Sequence, residues 1–270
     1  MIPKIIHYSW FSGEPMPDAY VQMMDTWRKH LPDYEFKLWD ADALKKANIL
    51  FANEAVSAKK WAFAADAIRC YAVYHYGGIW LDGDIVLYKS FDPYLNCRMF
   101  IGKENSEEFQ NDGSCTHMNR LGSHCFGAEK GHPFLKDCVD YYENRHFIRS
   151  EKETLPQGLR YDMRLLPSIH ALLATKYGYK GSLLDSDMEE ILQEDIHVYP
   201  AYLFDAPKYH TIDEVVCIHN CLHSWAPSHE KKSGILMYEK PRKKNFFYYI
   251  FTTLNRILGR KGIQIRVLSI

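Results

Sequence analysis

The chain has 270 residues, 47% of them apolar, enough to bury the core of one large α/β domain. Its 33 Lys and Arg stand against 34 Asp and Glu for a formal net charge of -1, which excludes the basic excess that general nucleic-acid binding needs to neutralise phosphates. Seven cysteines (Cys70, Cys97, Cys115, Cys125, Cys138, Cys217 and Cys221), odd in number and without a C-x-x-C pair, suit a reducing compartment.

Residues 1–7 hold one lysine and no apolar stretch long enough for a signal peptide, and no run reaches the ~18 apolar residues of a membrane span. The expectation is a soluble, cytoplasmic protein. Residues 2–11, β-branched and aromatic, predict a buried strand that ends in the Ser12-Gly13 loop. A helix is expected from Asp18, as N-cap, to His30, with Tyr20, Met23, Met24 and Trp27 at helical spacing. Residues 34–39 alternate as a second strand, 40–47 form a short helix, and a polar connection leads to Trp61.

From Trp61 the chain reads as an alanine-rich helix to Tyr76, a glycine stop at Gly77-Gly78, the apolar strand Ile79-Trp80-Leu81, then Asp82-Gly83-Asp84 and a further strand from Ile85. Strand, helix, strand, helix, helix, strand is the order of a mostly parallel sheet with helices on its faces. Ligands of such sheets sit at the carboxyl ends of strands. Residues 97–131 read as short strands and loops, including 123–127. A helix is expected from His132 to about Asn144, another over 165–177, and late strands over 196–200 and 215–219.

Residues 240–266 carry eight Lys or Arg and no acid around Phe246-Phe247-Tyr248-Tyr249-Ile250-Phe251. Such a segment suits an anionic membrane interface, and equally a helix packed on the domain. The chain divides into a domain over 1–230 and a basic, amphipathic tail over 231–270.

If extended backbone continues through Gly83, Asp82 and Asp84 at i and i+2 project on one face, where two hard oxygen ligands could share a divalent cation. Asp-Gly is also a common hairpin turn, but a solvated turn needs no core on both sides. Asp66 and Arg69, three apart on an otherwise apolar helix, are either an internal ion pair or a pair that holds a sugar. Trp10 is either core or a flat face for a nucleobase. Cys217, His219, Cys221 and His223 alternate with a spacing unlike the C-x2-4-C and H-x3-5-H of structural zinc; one of His219 or Asn220 is the better partner for the cation at Asp84.

The stretch Ala65-Asp66-Ala67-Ile68-Arg69 through Tyr76-Gly77-Gly78-Ile79-Trp80-Leu81-Asp82-Gly83-Asp84 resembles the DXD sugar-binding region of glycosyltransferase family 32. That family includes yeast-type mannosyltransferases and bacterial capsular polysaccharide transferases, and the clostridial glucosylating toxins share the pattern. Ile2-Pro3-Lys4-Ile5-Ile6-His7 with Trp10, Pro32-Asp33-Tyr34-Glu35 with Leu38-Trp39, and His219-Asn220 with Ser224-Trp225 also look like its signatures. The resemblance implies a single-domain α/β GT-A fold, a Rossmann-like mixed sheet flanked by helices. It also implies a metal-dependent retaining transferase that uses Mn2+ or Mg2+ and a nucleotide-sugar, usually a UDP-sugar. The acceptor would be a saccharide or lipid-linked saccharide of surface polysaccharide synthesis, such as capsule or lipopolysaccharide, with peripheral contact at the inner face of the membrane through 240–266. Asp82, Asp84, Asp66 and Arg69 would be catalytic. Trp10, His7, Asp66, Arg69, Tyr76, Asp82, Ser224 and Trp225 would hold the donor. Asp84, Asp82 through water, and His219 or Asn220 would hold the metal.

Leu166-Pro167-Ser168-Ile169-His170 departs from the Thr-Gly-Pro that family members often carry, so the acceptor side has no assignment. Two rivals stand beside this reading. Leu81-Asp82-Gly83-Asp84-Ile85-Val86 fits the D-x-D-x-V of haloacid-dehalogenase phosphatases, although the motif falls late in the chain and Asp185-Ser186-Asp187 is a poor later acidic pair. A non-catalytic sugar-binding protein would suit the 14% aromatic content, but not the intact set of acids.

Overall fold

Glycine backbone freedom decides where the central helix stops. In the computed structural model, which describes residues 1–104, 119–181, 187–205 and 210–222, the helix over Trp61–Tyr76 ends on Gly77 at φ +69°. Gly78 follows at φ +104°, and a Cβ there would stand 2.6 Å from the Ile5 carbonyl, so only glycine lets the next strand approach the first one this closely.

The strands are β1 (Ile5–Ser9), β2 (Glu35–Trp39), β3 (Gly78–Leu81), β4 (Ile85–Leu87), β5 (Met99–Lys103), β6 (Leu121–Ala128), β7 (Glu190–Leu192), β8 (Ile196–Tyr199) and β9 (Cys217–His219). The α-helices are α1 (Asp18–His30), α2 (Ala41–Ala47), α3 (Leu50–Ser57), α4 (Trp61–Tyr76), α5 (Pro133–Tyr142), α6 (Gln157–Arg160), α7 (Leu166–Ala174) and α8 (Ala201–Phe204). Seven strands form one sheet in the order β2-β1-β3-β6-β5-β8-β7, and β4 pairs with β9 in a separate two-stranded sheet. This is the expected α/β, Rossmann-like mixed sheet flanked by helices. It is less parallel than its element order suggested, because β6 runs antiparallel to both β3 and β5, and β7 to β8.

One core packs α2, α3, α4, α5 and α7 against the sheet, and a second packs α1 and α8 on the other face. Two expectations change. Asp18 opens α1 from within its first turn and Pro17 is the cap, since Pro pre-sets the backbone without a side-chain acceptor. The polar connection before Trp61 contains α3, whose Phe51, Ala52 and Ala55 are buried.

The six described cysteines are free thiols. No described helix is long and apolar enough to cross a membrane. Ser224, Trp225, His223, Asp185-Ser186 and the tail over 231–270 lie outside the described residues.

Candidate functional site

β1 and β3 run parallel with Ile6 opposite Ile79 and His7 opposite Trp80, so both strands finish at the same edge of the sheet. Trp10 and Asp82 leave from that edge. Trp80 and Leu81 are fully buried, which anchors the strand end and fixes where Asp82 emerges.

Asp82 takes a hydrogen bond on Oδ1 from the Trp80 indole Nε1–H at 2.7 Å. Arg69 reaches it from α4, with Nη1 3.3 Å from Oδ2 and Nη2 3.3 Å from Oδ1. The same Nη2 lies 3.3 Å from Asp66 Oδ1, and Nη1 donates to the Ser123 carbonyl of β6 at 2.5 Å. One buried guanidinium is thus shared by two carboxylates. Burial pushes Asp66 up to about 7 and Asp82 adds to the rise, while Arg69 opposes both. For Arg69 burial alone would disfavour the charge, but Asp82 and Asp66 outweigh it and raise its pKa. Isolated charges could not be buried this way; the triad lets each be compensated.

Asp84 belongs to the second sheet. Trp27 of α1 donates its Nε1–H to the Ile85 carbonyl at 2.8 Å, and the Thr26 hydroxyl accepts from Leu87 N–H at 2.9 Å, so α1 holds β4 in place. β4 then pairs antiparallel with β9, Ile85 opposite His219, which carries the far end of the chain to the DXD turn. Leu222 N–H donates to Asp84 Oδ2 at 2.9 Å, and His219 Nε2 lies 3.3 Å from Oδ1. Burial by itself would raise the Asp84 carboxyl, but His219 and the Leu222 N–H hold it at about 2. In return Asp84 carries the His219 pKa well above its ordinary value against the effect of burial, with Cys221 adding to the rise. His219 also stacks on His124, ring centroids 4.4 Å apart.

One ligand atom each from Asp82, Asp84 and His219 lie within 4.8 Å of one another. Two carboxylates and one imidazole fit Mn2+ or Mg2+, which take oxygen-rich sets with open positions. Asn220 is fully buried and turned elsewhere: its amide N–H donates to the Asp84 backbone carbonyl at 3.1 Å, and Met23 sulfur stands 3.4 Å away. Of the two residues left open by the sequence, His219 faces the carboxylates. Cys217 donates to the Phe204 carbonyl and Cys221 lies against His219 Nδ1, so they share no zinc geometry.

Trp10 is half-buried beside this edge, with Nε1–H donating to the Glu14 carbonyl at 2.6 Å. Its ring meets Tyr20 edge-on at 5.3 Å. Tyr20 in turn touches the DXD turn: a Cβ on Gly83 would stand 2.9 Å from its ring. Tyr20 was legible in the sequence only as an apolar position of α1; that it links Trp10 to Gly83 depends on the docking of α1.

Two donor-site expectations are corrected. His7 is fully buried, its Nε2 pairs with the Gly77 carbonyl at 2.8 Å, and its Nδ1 accepts from Trp39 Nε1–H at 3.1 Å, so the ring braces β1 and has no nitrogen for a donor. Tyr76 sits at the end of α4 where β3 begins, because helix and strand run in opposite directions. It packs on Trp39 at 5.7 Å and under the Lys37 ammonium, at the other end of β3 from Asp82.

Residues 17–104 match the family of glycosyltransferase sugar-binding regions containing a DXD motif. The chain is 29% identical over 142 residues to inositol phosphoceramide mannosyltransferase 3 of Schizosaccharomyces pombe, covering 51% of this chain and 36% of that protein. It is 30% identical over 152 residues to the mannosyl phosphorylinositol ceramide synthase CSH1 of Saccharomyces cerevisiae, covering 53% and 37%. It therefore spans little more than a third of the length of these relatives. Among solved structures, galactosyltransferase LgtC with donor and acceptor sugar analogs is similar at TM-score 0.43 and 11% identity, covering 80% of this chain and 87% of that one. PaToxG glycosyltransferase is similar at TM-score 0.41 and 15% identity, covering 65% and 69%.

Proposed function

We propose that this chain, which carries a glycosyltransferase sugar-binding region with a DXD motif, is a metal-dependent retaining transferase. It moves a hexose or HexNAc from a nucleotide-sugar to a saccharide or lipid-linked acceptor. The observation that carries the reading is the convergence of Asp82, Asp84 and His219 at the strand edge where Arg69 and Asp66 also arrive.

Asp84 and His219 would hold the cation directly and Asp82 through water. When bound, Mn2+ or Mg2+ neutralises the charge that grows on the departing diphosphate. The chain's own groups do the rest. The Asp66 and Asp82 carboxylates accept hydrogen bonds from hydroxyls of the donor, and Arg69 fixes both carboxylates while donating to Ser123. Trp10 offers a ring face to the base, and Ser224 and Trp225 would close over the diphosphate. The acceptor hydroxyl attacks the anomeric carbon on the face from which the diphosphate departs, and its proton passes to the leaving phosphate oxygen. Anomeric configuration is thereby retained.

A UDP-sugar is the donor proposed from the bacterial pattern, with surface polysaccharide as product. The names of the yeast relatives favour a mannosyl donor and a phosphoinositol lipid acceptor as the second assignment. The phosphatase reading fits less well, since residues 17–104 match a glycosyltransferase sugar-binding region and the motif follows the third strand of the chain rather than the first.

A panel of UDP- and GDP-sugars with Mn2+, followed by slow donor hydrolysis, tests this. One sugar nucleotide should be hydrolysed by the wild type and not by Asp84→Ala. Equal hydrolysis by both would remove the metal-site assignment, and an inverted product by NMR would remove the retaining mechanism.

A further inference from the structure

Behind the face that presents Asp66 and Arg69, α4 turns Cys70 toward α5 and α7. There it meets Cys138 of α5 and His170 of α7, and all three residues are fully buried. One ligand atom from each, two sulfurs and a ring nitrogen, lie within 4.8 Å of one another. Cys70 Sγ stands 3.8 Å from His170 Nε2. The imidazole also meets the Gly122 backbone, and two rings flank it, Phe126 at 5.5 Å and Phe134 at 5.7 Å. A buried cysteine is usually a small hydrophobe, but two thiols and an imidazole brought together from three helices are also a zinc ligand set.

We propose that Cys70, Cys138 and His170 form a second cation site, separate from the DXD turn, that takes Zn2+ through two thiolates and one imidazole. Tetrahedral zinc with Zn–S near 2.3 Å and Zn–N near 2.0–2.1 Å sets a sulfur and a nitrogen ligand ~3.6 Å apart, so the observed 3.8 Å needs little adjustment. Charge favours the occupant as well. Zn2+ with two thiolates and a neutral imidazole is neutral overall, which suits an apolar interior and adds no repulsion toward Arg69. Burial, with the Arg69 charge adding, lowers the His170 pKa, and burial with the Cys70 contact raises the Cys138 thiol, so the cation has to displace the thiol protons.

The binding step balances simply. Each thiol releases one proton to solvent, two Zn–S bonds and one Zn–N bond form, and no electron is transferred. Three protein ligands leave a fourth position for water or a small ligand. The ligands come from three helices, so the cation pins α4 against α5 and α7 directly behind the residues that hold the DXD carboxylate. The set differs in kind from Asp82, Asp84 and His219: thiolates select Zn2+, where carboxylates accept Mn2+ or Mg2+. The proposal therefore stands independently of the transferase reading.

The test is Co2+ titration of the full chain, purified under reducing conditions and stripped of metal, with absorption as the readout. The wild type should bind Co2+ with a thiolate-to-cobalt charge-transfer band and intense tetrahedral d–d bands, both bleached by one equivalent of Zn2+. These bands should persist in Asp84→Ala and in Cys221→Ser, which keep this cluster intact, and vanish in Cys138→Ser. Circular dichroism checks that Cys138→Ser is folded; if it is not, His170→Gln replaces it, with cobalt affinity expected to fall at least tenfold. A wild type without the thiolate band, or a band that survives both Cys138→Ser and His170→Gln, would overturn the proposal.

Discussion

Arg69, in the middle of α4, meets Asp82 at the end of β3 through two contacts of 3.3 Å, and the same guanidinium holds Asp66. The helix that precedes the DXD turn in sequence therefore folds back to support its first aspartate. Removing the guanidinium leaves two carboxylates in the interior without their cation, a change that typically costs about 3–5 kcal/mol. Arg69→Met should lose that much in chemical denaturation. Arg69→Lys should fold but hydrolyse donor at least ~10-fold more slowly, because one ammonium cannot reproduce the planar fork that serves Asp66, Asp82 and Ser123 together. Wild-type turnover in Arg69→Lys would show that the fork is not needed.

Asp84 and His219 predict separable metal phenotypes. Asp84→Asn should abolish Mn2+-stimulated donor hydrolysis. His219→Gln should retain some, but raise the Mn2+ concentration for half-maximal stimulation by at least the roughly 10- to 100-fold that loss of even an outer partner brings. A Mn2+ titration of rate reads both. An unchanged midpoint in His219→Gln would take His219 out of the metal shell.

Gly83 lies against Tyr20, and Tyr20 against Trp10. Gly83→Ala places a methyl 2.9 Å from the Tyr20 ring, so the ring or the turn must shift, at about 1–3 kcal/mol for overpacking. The donor KM should rise, and Tyr20→Leu should partly relieve the loss of stability in the double variant. Additive effects of the two changes would mean that the contact does not couple them.

His7 sets a pH dependence of stability. Burial, against the Gly77 hydrogen bond, lowers its pKa to about 4 from an ordinary value of 6.5. Below pH 6.5 the unfolded chain takes up a proton that the folded chain refuses until pH 4, so stability falls as pH drops through that window and is unaffected above it. Between pH 6.5 and 5 the loss is about 2 kcal/mol at 1.36 kcal/mol per unit. Urea unfolding at pH 7.5 and pH 5 should show a wild-type loss larger than that of His7→Gln by this amount; equal losses would place the proton elsewhere.

The basic tail makes a prediction of its own. The full chain should co-sediment with anionic vesicles and not with neutral ones, in a salt-sensitive way, and a variant lacking 231–270 should not. Equal sedimentation of both would leave the packed-helix reading of those residues.

The sequence by itself determined the local chemistry of this protein. Helical spacing and the Gly77-Gly78 stop gave α4 its bounds, the apolar run gave β3, and the DXD pattern with Asp66 and Arg69 marked the proposed donor half, because each of these is written within a few consecutive residues. The tertiary structure decided which of those groups meet. The choice of His219 over Asn220 rests on the pairing of β4 with β9 across about half the chain, the exclusion of His7 on its burial between Gly77 and Trp39, and that of Tyr76 on α4 and β3 running in opposite directions. Tyr20 against Gly83, and Cys70 with Cys138 and His170, were invisible for the same reason: they join residues far apart in sequence, whose proximity is set by how helices dock on the sheet and not by any local pattern.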